Sequence, residues 1–161
     1  MSLGANGLAE VSKTSVINTN YLIQKLSKVR GVTMAYPKQA RRLDQVRFSL
    51  EKLKEETGIG TDEVTRRATD FGVNEFFKSH HPWVVPEPFL PEPCETYSKE
   101  DIDYWIAIVK QVCEEAYTNP DYLRTAPHNQ AIAKINEKDL NDPQKYASTW
   151  RAYLRKIKFL C

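Results

Sequence analysis

Three kinds of side chain in this sequence could carry chemistry: carboxylates, imidazoles and thiols. Glu87, Glu92 and Glu95 lie among prolines in one short stretch, and neighbouring carboxylates can divide acid and base work when their surroundings separate their pKa values. Acidic side chains are mostly exposed, however, and the same trio reads more simply as solvated charges on an extended strand. His80 and His81 are adjacent; neighbours on an extended chain point to opposite faces, so the two cannot easily share one metal ion. His128 follows Ala126-Pro127, a rigid turn in which an imidazole can be held to hydrogen-bond near a site or can pack as an ordinary loop residue. Cys94, Cys113 and Cys161 are odd in number and lack a C-x-x-C spacing, which argues for free thiols rather than a disulfide framework or a zinc site. Cys113 falls on the apolar stripe of a helix, where a thiol is usually inert. With six glycines the chain forms no G-x-S-x-G elbow, no G-x-G-x-x-G turn and no P-loop, so serine-hydrolase and nucleotide-binding chemistry lack their usual frames.

The elements that must position these residues are legible from spacing. Residues 6–28 contain no proline, and Leu8, Val11, Tyr21, Leu22 and Leu26 recur at near-helical intervals up to Gly31, which predicts a long opening helix. Residues 32–36 and 46–50 have strand character, with Val46, Phe48 and Leu50 on one face at period two. Thr61, followed by Asp62 and Glu63, reads as a capping hydroxyl with acids in the first turn of a short helix, which Gly72 would end. Pro82, Pro86, Pro88, Pro91 and Pro93 keep the next segment extended, as ordered connection or edge strand. Ser98 with Asp101 forms a capping-box-like start, and Ile102, Trp105, Ile106, Val109, Cys113 and Ala116 trace one stripe until Asn119-Pro120. A turn of helix can follow at residues 120–123; the tail from Ile132 onward is mixed, with Asp142-Pro143 as a helix start and Trp150, Tyr153 and Leu154 as candidate packing residues.

This order predicts an α+β fold: a small antiparallel sheet covered by helices mostly on one side. A chain of 161 residues, 41% hydrophobic and 27% charged, has room for one domain with a real core. The 23 Lys and Arg residues nearly balance 21 Asp and Glu; spread through helices that also carry acids, they predict no nucleic-acid and no membrane partner. No apolar run approaches the roughly 20 residues that span a bilayer, and the N-terminus lacks a secretory pattern. The expected location is cytoplasmic, and Met1-Ser2-Leu3 could be a cloning remnant.

Function rests on a resemblance. The run Pro93-Cys94-Glu95-Thr96-Tyr97-Ser98-Lys99-Glu100 resembles the Pro-Thr-Glu-Ser/Thr-Glu-Ser-Lys-Glu motif of glycine dehydrogenase (decarboxylating), the P-protein of the glycine cleavage system. Ala126-Pro127-His128 is similar to that family's Pro-His turn, and Val84-Val85-Pro86-Glu87 to its Ile-Val-Pro-Glu. Residues 52–58, Asp70-Phe71-Gly72, residues 7–12 and residues 18–22 match further stretches of it in collinear order. The signal covers residues 4–136; residues 137–161 form a divergent tail, expected to pack on the same domain. Cys94, Tyr97 and Arg47-Phe48-Ser49 depart from the family pattern.

The resemblance implies the small C-terminal domain of fold-type I pyridoxal-phosphate (PLP) enzymes, here of a glycine decarboxylase. It implies a separate large domain that binds the cofactor, a lipoyl H-protein partner in the parent system, and no cofactor, metal or catalytic residue held by this chain alone. It also implies that Glu95 and His128 are the residues nearest the parent active-site entrance, and that the isolated chain is inactive. The alternative is a diverged stand-alone binding or scaffold module.

Overall fold

The computed structural model describes residues 3–36, 41–43, 45–74, 76 and 78–131, with residues 134, 142, 150, 154 and 158. The chain divides into two compact units, Met1–Gln130 and Ala131–Cys161. The elements that follow all belong to the first. The expectation of a packed tail falls on residues 137–161, most of which lie outside the described residues.

The first unit runs α1 (Gly4–Leu26), β1 (Thr33–Met34), β2 (Phe48–Ser49), α2 (Glu51–Thr57), α3 (Thr61–Thr69), β3 (Pro88–Phe89), α4 (Lys99–Thr118) and α5 (Pro120–Arg124). The strands form one antiparallel sheet in the order β1-β2-β3, with Met34 opposite Phe48 and Phe48 opposite Phe89. The α+β architecture read from the sequence is the one observed. Val46, Phe48 and Leu50 are buried as their alternation predicts. The proline-rich segment supplies the edge strand β3, where Pro88 can sit without interrupting a central ladder.

α4 is the centre of the fold and packs against α1, α2, α3 and α5. It starts where Ser98 Oγ accepts the Asp101 N–H while Asp101 Oδ2 accepts the Ser98 N–H at 2.9 Å, a reciprocal cap that satisfies two helix-end donors. It ends before Pro120, which instead opens α5. Ile102, Ile108, Val109, Val112, Cys113 and Ala116 are its buried residues, each larger apolar side chain contributing about 1.5–3 kcal/mol of transfer free energy. A stack of Phe48, Phe89, Phe76 and Trp105 joins sheet to helix, with successive ring centroids 5.3, 5.1 and 5.7 Å apart.

The long opening helix is present as its spacing predicts, with Leu22, Ile23 and Leu26 in the core and Leu8 and Ile17 60% and 66% exposed. One expectation needs correction. The cap of α3 is Gly60 rather than Thr61, with its N–H donating to Glu63 Oε2 at 3.1 Å. The Thr61 hydroxyl is buried without a hydrogen-bond partner; the carboxylate that serves this helix end comes from elsewhere in the chain.

Candidate functional site

Three polar side chains tie distant parts of the sequence together and fix the surfaces on which any site must stand. The first is Asn18, half-way along α1, whose Nδ2 donates to the carbonyls of Cys94 at 2.9 Å and Tyr97 at 3.1 Å. One amide thereby sets the loop that enters α4. Tyr21, one turn further, donates from its hydroxyl to Asp103 Oδ1 at 2.5 Å and secures the same helix.

Asp70 is the second. Its carboxylate accepts the N–H of His128 at 2.8 Å, the N–H of Asn129 at 2.7 Å and Arg67 Nη1 at 2.9 Å. Burial raises this carboxyl, but the two backbone N–H groups and the guanidinium outweigh it and its pKa is lowered. Arg67 also forms a fork with both oxygens of Glu115 on α4 and lies over the rings of Phe71 and Tyr122. Hydrogen bonding to Glu115 raises the already high pKa of Arg67, so this cation is permanent.

The third is Glu87, held at a positive φ of 45° and almost fully buried. It accepts the Thr61 N–H at 2.7 Å and the ammonium of Lys54, which makes it the anion at the N-terminus of α3. Gly60 is what permits this approach, since a Cβ there would stand 2.3 Å from Glu87 Oε2.

Between the first turns of α4 and residues 72–76 and 89–97 lies an open cavity of about 850 Å³, lined also by Leu22, Phe76, Phe89 and Trp105. Glu92 and Asp101 are its carboxylates among the described residues, and both are engaged, Glu92 by Gln45 and Asp101 by Ser98. The cavity floor is apolar and its two carboxylates are engaged, which suits it to binding.

The three glutamates singled out by sequence do not converge. Glu87 is the internal cap, Glu92 bonds Gln45, and Glu95 is exposed, receiving the Ser15 hydroxyl at 3.4 Å. His128 is exposed as well, its ring stacked on Tyr122 with centroids 4.0 Å apart and its Nε2 2.8 Å from the Tyr122 carbonyl oxygen. Glu95 precedes the first turn of α4, whereas His128 hangs on Asp70 and Arg67, which reach Glu115 near the last turn. His81 stacks on Trp83 at 4.6 Å, and no group of three His, Cys, Asp or Glu side chains among the described residues could hold a metal ion. Cys113 is buried, which pushes its thiol up to about 12. Cys94 is half-buried with its Sγ 2.8 Å from Thr96 Oγ1.

Asn18, Arg67 and Asp70 were not singled out by sequence reasoning for any role, although Asn18 and Asp70 lie inside stretches that carry the family resemblance. Their partners are 76, 48 and 58 residues away in the chain, separations that no local pattern encodes.

Two lysines and two helix ends among the described residues are already engaged. Hydrogen bonding to Glu87 raises the pKa of Lys54, and hydrogen bonding to Asp103 raises that of Lys99. The N-termini of α3 and α4 are filled from within, by Glu87 and Asp101, whereas α1 starts without a side-chain cap.

Comparison with known proteins agrees with this arrangement. Residues 11–132 match the family described as glycine dehydrogenase, C-terminal domain. A probable glycine dehydrogenase (decarboxylating) subunit 2 from Pyrococcus furiosus is 40% identical over 94% of the chain, and one from Thermotoga maritima is 37% identical over 85%. The chain spans only 29% and 28% of the length of these relatives. In fold, it resembles part of the crystal structure of a glycine decarboxylase (P-protein) of the glycine cleavage system in inhibitor-bound form. The TM-score is 0.57 and the identity 22%, over 69% of this chain and 23% of that one. Among the described residues no helix is long and apolar enough to cross a membrane. With three quarters of its length inside one family's boundaries, and with the Asn18–Cys94, Asp70–His128 and Lys54–Glu87 pairs all falling within them, the chain belongs to the family of glycine dehydrogenase C-terminal domains.

Proposed function

We propose that the chain works as the C-terminal domain of a cytoplasmic glycine-decarboxylating enzyme, beside a larger domain that binds pyridoxal phosphate and supplies the electron sink for carbon dioxide loss. The observation that carries this reading is the 40% identity to a glycine dehydrogenase subunit across 94% of the chain. Within it, the chain's own residues hold surfaces in place rather than act on substrate. Asn18 positions the loop before α4, and Asp70 positions the His128 turn. Glu95, exposed beside the cavity, is the side chain we assign to the active-site entrance. His128, at the other end of α4, joins it only if the larger domain spans the helix. In this reading the aminomethyl group passes to the lipoyl arm of an H-protein.

The test mixes the purified chain with the large-domain portion of a family member and follows carbon dioxide release from carboxyl-labelled glycine. We expect none from the chain alone and recovery on mixing. Borohydride reduction of the chain incubated with pyridoxal phosphate, followed by mass spectrometry, provides the counter-test. A single stoichiometric lysine adduct on the chain alone would overturn the proposal.

A further inference from the structure

The cavity beside α4 has an aromatic rim that the fold holds in place. Tyr104 and Tyr97 line it while remaining 59% and 44% exposed, beside the stacked rings of Phe76, Phe89 and Trp105. The Tyr104 hydroxyl donates to the Phe71 carbonyl at 3.0 Å, and the backbone of Tyr97 is secured where its carbonyl accepts Asn18 Nδ2 at 3.1 Å. Groups positioned before contact lose little freedom on binding, and tyrosine and tryptophan carry much of the energy of protein interfaces.

The lining narrows what the cavity can take. Its carboxylates, Glu92 and Asp101, are engaged within the chain, and no Lys, Arg or His is among the described residues that line it. It therefore offers no cation to a phosphate or another anion. Pro91 and Pro93 in its wall carry no N–H, which leaves that wall short of donors for an added strand. At about 850 Å³, and open to solvent, it has room for several apolar side chains of a helix or turn.

The relatives indicate whose side chains these are. The lining residues all fall within residues 11–132, the part that matches the family of C-terminal domains. The chain spans 29% of the Pyrococcus furiosus relative, and its fold is matched within 23% of a longer P-protein chain. Glu95, assigned above to the active-site entrance, sits in sequence between Pro93 and Thr96 of the cavity wall.

We propose that the larger domain of the same enzyme docks in this cavity, seating apolar side chains of a helix or turn between Tyr97 and Tyr104. The assignment rests on the functional reading above and adds to it the surface through which the two parts meet.

In the test, the full chain is titrated with the large-domain portion of a family member, loaded with pyridoxal phosphate, and followed by sedimentation velocity. We expect binding, and a loss of about tenfold or more in Tyr97→Glu/Tyr104→Glu. Leu8→Glu and Val84→Glu, at exposed side chains that do not line the cavity, should change it less than about twofold. Tyr97→Glu alone keeps the Tyr104–Phe71 bond and should still weaken binding about threefold or more without lowering the unfolding temperature. Equal loss in Leu8→Glu or Val84→Glu, or unchanged binding in both tyrosine variants, would overturn the assignment and leave the functional reading standing. Failure of the unaltered chain to bind would overturn both. Self-association that Tyr97→Glu/Tyr104→Glu abolishes would give the cavity to a second copy and overturn the assignment as well.

Discussion

The two carboxylate oxygens of Asp70 receive the backbone N–H of His128 at 2.8 and 2.9 Å, joining the end of α3 to the turn after α5. The acid has no exposed side-chain surface, and Arg67, its ion-pair partner, is almost as buried. Removing one member of such a pair leaves the other charge buried and unmatched. Asp70→Asn should therefore lower unfolding stability by about 3 kcal/mol, and accelerate amide exchange at His128 and Asn129 more than in the core of α4.

The same cluster sets a pH dependence. Burial raises the carboxyls of Asp70 and Glu115, but hydrogen bonds, from backbone N–H groups and Arg67 to the first and from Arg67 and Gln111 to the second, bring both below their ordinary values of 3.8 and 4.5. Groups with depressed folded pKa values stabilise the folded chain when ionised. Their contribution is present above the ordinary values and is lost as pH falls through the lower folded ones. Urea unfolding from about pH 6 to about pH 3 should show this loss below about pH 4.5, with a shallower slope in Asp70→Asn. An unchanged slope would mean that other carboxylates govern acid unfolding.

Much of the fold was legible because its signals are local. Ser98 and Asp101 announce α4 within four residues, Asn119-Pro120 ends it, and Val46, Phe48 and Leu50 alternate as a half-buried strand must. α2 escaped notice because Leu53 is its one buried residue, too few for a period to register. The cap of α3 was misread for a related reason: Thr61 has the right side chain, but Glu87, 26 residues on, delivers the carboxylate. Glu95 and His128 were chosen from motif resemblance, which gives no distance, and the fold puts them at opposite ends of one helix.

Gly60 and Glu87 should behave as a coupled pair. Gly60→Ala forces a methyl against the Glu87 carboxylate and should cost about 2 kcal/mol, in the range of overpacking changes. A Glu87→Ala background removes the three atoms nearest the added methyl, and the cost should shrink by more than half. A double-mutant cycle by chemical denaturation measures this, and strict additivity would show that the two residues do not touch in solution.

Reactivity should separate the two described thiols. Burial pushes Cys113 up to about 12, leaving almost no thiolate at neutral pH. Iodoacetamide under native conditions should spare Cys113 and label it only in denaturant, with peptide mass spectrometry as the readout. Native labelling of Cys113 would mean that α4 opens far more often than its packing allows.

Asn18 offers a subtler check. Losing two hydrogen bonds to carbonyls, Asn18→Ala should cost about 1–2 kcal/mol and should free the chain around Cys94 and Tyr97 while the sheet stays protected from exchange.

α1 buries Thr19, Leu22, Ile23 and Leu26 and packs Tyr21 against the core. Its first three turns hold no buried residue, so the helix draws its order from its second half, where Asn18 and the buried residues lie. Its amides should exchange in a gradient, slowest near Leu22 and fastest toward Gly4. The helix then behaves less like a beam of the domain than like a tongue, rooted in the core by its last two turns.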